Sequence, residues 1–175
     1  MKKIASILFC LLVFQGISFA KDVLKFDFPN SGWHKVESPD GVQSKKCFVP
    51  TGQSADDYKE MLIFTERKIK NEGINAMVIL QKQLGKDRNN YRDIIPEFIV
   101  QEENDTMVTW CSRLKNTCSV ERVFKGKDGI ITAIYINKAP HYSQNMFGQW
   151  SNILATIRIA DKTQVQNTNN LIELD

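Results

Sequence analysis

The feature that most constrains the fold is a succession of short apolar runs separated by turns of a few residues. Pro29–Gly32 and Pro39–Gly41 have the composition of tight turns. Connections this short join antiparallel neighbours, because parallel strands need a much longer crossover. The first half of the chain therefore predicts hairpins. Its runs are VLKFDF from Val23, WHKVES from Trp33, VQSKKCFVP from Val42 and YKEMLIFTERKI from Tyr58.

The same pattern returns after a helical segment. Lys127–Asp128–Gly129 predicts a turn in which Gly129 supplies left-handed geometry. The order of elements is therefore sheet, helix, sheet, helix. The later runs are DIIPEFIVQEE from Asp93, TMVTWCS from Thr106, CSVERVFKG from Cys118 and GIITAIYINK from Gly129.

Two segments have helical patterns. In the first, we expect Asn71 to cap the helix and Gly85 to end it. The second begins at Ser143, which also has a capping side chain. The apolar faces are Ile74, Met77, Val78 and Leu84 in the first helix, and Met146, Trp150, Ile153, Leu154 and Ile157 in the second. We predict an α+β fold with an antiparallel sheet packed against two main helices, in one domain over residues 21–160.

The ends of the chain predict export. Lys2 and Lys3 precede an apolar core over Ile4–Phe14. Ser18-Phe19-Ala20 then has small residues at the two positions that signal peptidase recognises. We predict a signal peptide over residues 1–20, cleaved near Ala20, and a periplasmic or released product. An uncleaved anchor is the alternative.

The other end of the chain, residues 161–175, loses apolar periodicity and is rich in Asn, Gln and Thr. It predicts a polar, flexible tail. The alternative is that its few apolar residues dock on the domain or on a partner. These are Leu171, Ile172 and Leu174.

The charge balance bears on the kind of partner. Removing Lys2 and Lys3 from the 23 Lys and Arg leaves 21 against 20 Asp and Glu. A nearly neutral surface offers no electrostatic attraction for nucleic acid or an anionic membrane. No apolar run after residue 20 is long enough for a transmembrane helix. We therefore expect no nucleic-acid partner and no membrane span in the mature chain.

Three cysteines remain after residue 20. Cys111 and Cys118 flank SRLKNT, which could close a hairpin, and their pairing is the favoured disulfide. A bridge from Cys47 to either of them stays open. If Cys47 is unpaired, burial in its strand is the expected fate, and a reactive thiol favoured by Lys45 is the sharper alternative.

Residues for catalysis are few. His34 and His141 are the only histidines, and neither lies at a spacing that predicts a nucleophile triad. The acidic groups around Asp57 and Glu102 have neither calcium-loop nor glycosidase spacing. We expect no cofactor and no metal. The alternative is a secreted hydrolase or virulence factor whose pocket is assembled from distant residues.

Several motifs carry a resemblance. Gly32-Trp33 is followed by FVPTGQSADDYKEML, then by ERVFKGKDGI and YINK, and Trp150 lies in the closing helix. In these the chain resembles a group of uncharacterised small secreted proteins of Gram-negative bacteria, and its layout is similar to PsbP-like domains. The resemblance implies an α/β/α sandwich around an antiparallel sheet. It also implies a binding or assembly role with no catalytic residue set.

The sequence thus predicts an exported, non-enzymatic binding or accessory protein with a protein partner. We expect the contact at a sheet edge and at the turn between the third and fourth runs. The candidate partner-binding residues are Trp33, Gly52, Gln53, Asp57, Tyr58 and Arg122.

Overall fold

A computed structural model describes residues 23–25, 32–41, 45–69, 75–127, 129–138, 144–160 and 171–174. The predicted signal peptide and the predicted caps Asn71 and Ser143 lie outside these ranges, as does His141. None of the described helices is long and apolar enough to span a membrane.

Each predicted apolar run corresponds to one strand in the structure. The described strands are β1 (Val23–Lys25), β2 (Trp33–Val36), β3 (Lys45–Pro50), β4 (Glu60–Lys68), β5 (Glu97–Gln101), β6 (Asp105–Ser112), β7 (Thr117–Lys125), β8 (Gly129–Asn137), β9 (Arg158–Ile159) and β10 (Leu171–Glu173). A seven-stranded sheet has the order β2-β3-β4-β8-β7-β6-β5, and every pair in it is antiparallel. The prediction of antiparallel pairing is confirmed.

Two helices cover this sheet on opposite faces. Helix α1 spans Ala76–Asn90 and helix α2 spans Gln144–Thr156. Val108 packs in the cluster under α1, whereas its neighbour Met107 packs in the cluster under α2. Successive residues of a strand point to opposite faces, so the two helices lie on different sides of β6.

The predicted stripe of α2 forms part of the core. Trp150, Leu154 and Ile157 are 5%, 0% and 1% exposed, and Met146 and Ile153 pack beside them half-buried. Burying each large apolar side chain contributes about 1.5–3 kcal/mol. This stripe therefore fixes α2 on the sheet.

The boundaries of α1 differ from the prediction. Asn75 is its cap, and its Oδ1 accepts from the backbone N–H of Val78 at 3.0 Å. The helix continues through Gly85 to Asn90. Because Ile79 and Leu80 are buried here while Met77 is half-buried, packing on the sheet determines the helix more than the glycine does.

The end of the chain corrects the expectation of a tail that is flexible to residue 175. β10 pairs with β1, and β9 pairs with the other side of β1, making a small antiparallel sheet. Ile172 and Leu174 are 9% and 1% exposed. They belong to the apolar cluster between α2 and the sheet, which we call the α2-side core. The alternative of docking on the domain therefore describes residues 171–174. Residues 161–170 lie outside the described ranges.

Gly129 has a different role from the one predicted. It is the first residue of β8, paired with Lys68, and its φ is not left-handed. A Cβ built on it would lie 2.2 Å from the carbonyl oxygen of Arg67. The glycine is needed because two backbones approach closely there.

Gly129→Ala should therefore lower the free energy of unfolding by about 1–3 kcal/mol, since backbone must move to accept the methyl group. Gly85→Ala is the matched control. A Cβ at Gly85 meets nothing within 4 Å, so this change should stabilise α1 by about 0.5–1 kcal/mol. Urea denaturation measures both. Equal effects of the two substitutions would refute this account of Gly129.

Candidate functional site

The turn between β3 and β4 is organised by its own side chains. Gln53 Oε1 accepts from the backbone N–H groups of Lys59 at 2.6 Å and Glu60 at 3.2 Å. The N–H of Asp57 donates to Ser54 Oγ at 3.2 Å, and Gly52 has a φ of 88°. The segment thus has the predicted turn chemistry. Whether Gly52, Gln53 and Asp57 contact a partner remains a prediction.

Tyr58 lies at the end of this turn and is half-buried. The ammonium group of Lys138 lies 3.4 Å from the centre of its ring, a cation–π contact. Tyr58 therefore contributes to the attachment of the turn to the sheet.

Trp33 belongs to an aromatic stack inside the α2-side core. Its ring meets Trp150 edge-on at 5.4 Å, and Trp150 stacks on Tyr135 at 4.0 Å. Tyr135 donates to Glu60 Oε1 at 3.1 Å, and burial raises its pKa well above the usual value. The stack accounts for both tryptophans as packing residues.

Arg122 is buried, not presented at the surface. It is 6% exposed, and its guanidinium donates to both carboxylate oxygens of Asp105 at 2.8 and 2.6 Å. It also donates to three carbonyls at the end of α2, those of Leu154, Ala155 and Ile157. Arg122 thus donates these hydrogen bonds within the fold, and whether it also contacts a partner stays a prediction.

The cysteine pairing agrees with the favoured prediction. Cys111 and Cys118 are directly opposed on β6 and β7, with Cα atoms 4.1 Å apart, and their sulfurs are bonded. Cys47 is free and fully buried in β3, and burial raises the pKa of its thiol. A raised pKa disfavours the thiolate, which argues against the reactive-thiol alternative.

A groove of about 710 Å³ lies at one end of the sheet. We call it the β5 groove. The Cys111–Cys118 disulfide and Thr109 line it on the sheet, and Phe147 of α2 lines one side. The rest of the lining comes from segments at this end of the sheet: Asp93, Ile95, Glu97, Trp110, Ser112, Arg113, Asn116 and Thr117.

One exposed apolar side chain lines this groove, a second follows a lining residue, and a third lies on β5. Ile95, Leu114 and Ile99 are 85%, 75% and 48% exposed, and they are the exposed large apolar residues of the described chain. Ile95 lines the groove, and Leu114 follows the lining residue Arg113. Single exposed apolar residues are common, but a group beside one cavity is typical of a contact surface.

Asp93 links the segment before β5 to the turn between β6 and β7. Its Oδ1 accepts from Ser112 Oγ at 2.6 Å, and its Oδ2 accepts from the backbone N–H of Leu114 at 3.0 Å. The hydrogen bond from Ser112, followed by that from Leu114, lowers the pKa of this carboxyl. Asp93 therefore stays ionised and ties the backbone of Leu114 to the segment that precedes β5.

The edge strand β5 is acidic. Residues 93–105 contain five carboxylates and no Lys, Arg or His: Asp93, Glu97, Glu102, Glu103 and Asp105. Asp105 pairs with Arg122. Glu97, Glu102 and Glu103 are exposed and form no ion pair with another described residue. Residues 93–105 thus carry only negative side-chain charge, although the whole chain carries +3 and Arg113 lines the same groove as Glu97.

A second group of carboxyls lies buried between α1 and the sheet. Glu121 is 1% exposed and accepts from Trp110 Nε1 at 2.6 Å and from Ser119 Oγ at 3.2 Å. Asp87 of α1 is 7% exposed and accepts from Gln83 at 3.1 Å. Burial, followed by the charge of Asp87, raises the pKa of Glu121 to about 8. Burial raises the pKa of Asp87 as well.

This carboxyl pair is enclosed by the core. Glu121 Oε2 and Asp87 Oδ2 have no donor among the described residues, and no described cavity is lined by either side chain. A proton on Glu121 supplies the donor for a hydrogen bond between the two carboxyls. The pair therefore bears on the stability of the fold.

The hydrolase alternative depends on the histidines. His34 lies exposed on β2 opposite Val49, and no hydrogen bond or ion pair joins it to a described nucleophile or carboxylate. His141 lies outside the described ranges. Within those ranges no group of three His, Cys, Asp or Glu side chains is placed to bind a metal ion.

The β5 groove was missed in the sequence because its members come from separate segments. Two signals were present: every charged residue in 93–105 is acidic, and β5 has three apolar residues in a row, with Ile99 at the centre. The approach of Leu114 and Phe147 to this edge depends on the β6–β7 hairpin and on the position of α2, which no local pattern indicates.

Comparison with known proteins gives a likeness in fold. No protein-family model matches the chain, and no curated protein sequence matches it. It is similar to the solution structure of cyanobacterial PsbP (CyanoP) from Synechocystis sp. PCC 6803, with a TM-score of 0.52, 9% identity and coverage of 86% of this chain and 99% of that one. At this identity the likeness shows a PsbP-like fold alone.

A crystal structure from Bacteroides thetaiotaomicron VPI-5482 is also similar. Its TM-score is 0.41 at 12% identity, and the match covers 82% of this chain and 50% of that one. The chain thus spans about half the length of that protein.

Proposed function

We propose that this chain is an exported, non-enzymatic binding or accessory protein that contacts a protein partner through the β5 groove. It acts in the bacterial envelope or the secreted fraction after cleavage near Ala20. Its scaffold is a PsbP-like α/β/α sandwich, and the binding surface is added at one edge. A membrane span and a nucleic-acid partner form no part of the proposal.

One observation carries the choice of surface. The exposed large apolar residues of the described chain lie at the groove or along β5. Leaving such side chains in water is unfavourable by about 25 cal/mol for each Å² of apolar surface. A partner that covers Ile95, Ile99 and Leu114 would recover this energy, which supports a contact surface here.

Two further observations support the cellular setting and the class of function. The Cys111–Cys118 bridge is compatible with an oxidising compartment outside the cytosol. The fold likeness to cyanobacterial PsbP supports a binding scaffold by analogy.

The test is site-specific photo-crosslinking in native cells. A photoreactive amino acid at Leu114 should give a reproducible adduct with one protein. The matched control carries the same amino acid at Lys35, an exposed position on β2 at the opposite edge. Adducts of equal yield and identity from both positions, or none from Leu114, would contradict the proposal.

A further inference from the structure

We propose that the partner presents an extended segment, rich in Lys or Arg and in apolar residues, which pairs with β5 as an additional strand. This inference rests on the proposed function and specifies the chemistry of the partner. It is carried by the position of β5, by the charges along it and by the apolar residues that flank it.

β5 is the last strand in the order of the main sheet. An edge strand keeps half of its backbone N–H and C=O groups directed away from the sheet, and an extended peptide can pair with them. Phe98 of β5 packs against the apolar cluster under α1, and the N–H of Ala76 donates to the carbonyl of Glu103 at 3.1 Å, beyond the end of the strand. Glu97–Gln101 is thus one of the two edge strands of the seven-stranded sheet, and β2 is the other.

The charges select the partner's composition. Glu97 lies at the start of β5, and Glu102 and Glu103 follow its end. All three are exposed and lack a described ion-pair partner. Opposite charges on neighbouring strands are favourable by about 0.2–1 kcal/mol a pair. Lys or Arg at matching positions of an added strand would meet this requirement.

The same charges disfavour a second copy of this chain as the occupant. Pairing β5 with β5 would bring the glutamates of two copies together, and like charges across strands are destabilising. The bulge at Ile99 also interrupts regular pairing, a device by which edge strands avoid indiscriminate association. A basic partner strand removes the charge repulsion.

Apolar residues supply the remaining contact. Ile99 is the unpaired residue of the bulge, and Ile95 lies just before β5. An extended chain places alternate side chains on one face, so its apolar residues can cover these two while its cations meet the glutamates. The segment therefore combines both residue types.

The probe is a capped peptide as long as β5 with alternating valine and lysine, and the comparison peptide alternates valine and glutamate. Titration is followed by the NMR amide shifts of the full mature protein. We expect the lysine peptide to shift the amides of Glu97–Gln101 and to bind more weakly as salt increases. The glutamate peptide should cause no shifts.

The variant Glu97→Lys/Glu102→Lys should lower the affinity for the lysine peptide about tenfold, because attraction is replaced by repulsion at two positions. The matched control is Glu37→Lys, an exposed charge reversal at the end of β2, and it should leave affinity unchanged. Equal binding of both peptides, or shifts confined to other strands, would overturn the inference. If crosslinking at Leu114 succeeds while the lysine peptide fails, the inference falls and the proposed function stands. If both the crosslinking and the peptide titration fail, the proposed function and this inference are both contradicted.

Discussion

Arg122→Ala should lower the free energy of unfolding by about 3–5 kcal/mol, the range seen when one partner of a buried ion pair is removed. The substitution leaves the carboxylate of Asp105 without its cation. It also leaves the carbonyls of Leu154 and Ile157 without the Arg122 donor at the end of α2. The Leu154 carbonyl would keep the N–H of Ile157 at 3.3 Å and the Ile157 carbonyl would keep Arg158 at 2.7 Å, but both would lose the buried guanidinium at the helix end.

Arg122→Lys should recover only a small part of this loss. A single ammonium group cannot reproduce the planar fork that holds both Asp105 oxygens and the helix end. Arg158→Ala is the matched control, since Arg158 also donates to the carbonyls of Ala155 and Ile157 but is exposed. It should cost less than about 1 kcal/mol.

Urea denaturation followed by tryptophan fluorescence compares the three variants. If Arg122→Ala fails to accumulate as folded protein, Arg122→Lys and Arg158→Ala still test the order of effects. An Arg122→Lys variant as stable as Arg158→Ala would show that Arg122 does not hold α2 on the sheet.

Glu121→Gln should remove most of the fall in stability between about pH 5 and pH 8. The pKa of Glu121 is raised from 4.5 to about 8 in the folded chain. Its proton is therefore bound more tightly in the folded state. The resulting stability is complete below the unfolded pKa and is lost as pH rises through the folded pKa.

One titrating proton changes the free energy of unfolding by about 1.4 kcal/mol for each pH unit within this window. Glutamine is neutral at every pH, can accept from Trp110 through the same oxygen and offers an N–H to Asp87. The variant should thus be more stable than the wild type near pH 8, on the order of 3 kcal/mol, and similar to it near pH 5.

Glu103→Gln is the control because Glu103 is exposed and should leave the pH dependence unchanged. Denaturation near pH 5, 6.5 and 8 gives the three slopes. Equal slopes for the wild type and Glu121→Gln would contradict a carboxyl that folds in its protonated form.

Local sequence pattern predicts the strands well, but it predicts helix ends and contacts between distant segments poorly. The apolar runs that predicted β4, β6, β7 and β8 reflect burial on two faces, which each strand's own residues determine. The limits of α1 were wrong because Asn75 and not Asn71 caps the described helix, and because Gly85 is tolerated where neighbours pack. The docking of β10 depends on pairing with β1, at the far end of the chain.

The candidate site was less predictable for the same reason. Arg122 and Trp33 are polar and aromatic residues of the type that bind partners, but each is used within the fold. Conversely, Ile95 and Leu114 are apolar residues of the kind usually found in a protein core. Their exposure depends on where two loops meet, which no single segment specifies.

The central claim is that this chain acts by binding a protein at the β5 groove. Its most direct test is the affinity of the protein identified by crosslinking from Leu114, measured with the wild type and with Ile95→Asp/Leu114→Asp. Both positions are exposed, so the variant should melt like the wild type. We predict at least about a tenfold loss of affinity, since apolar contact is replaced by buried charge. An unchanged affinity would contradict the claim.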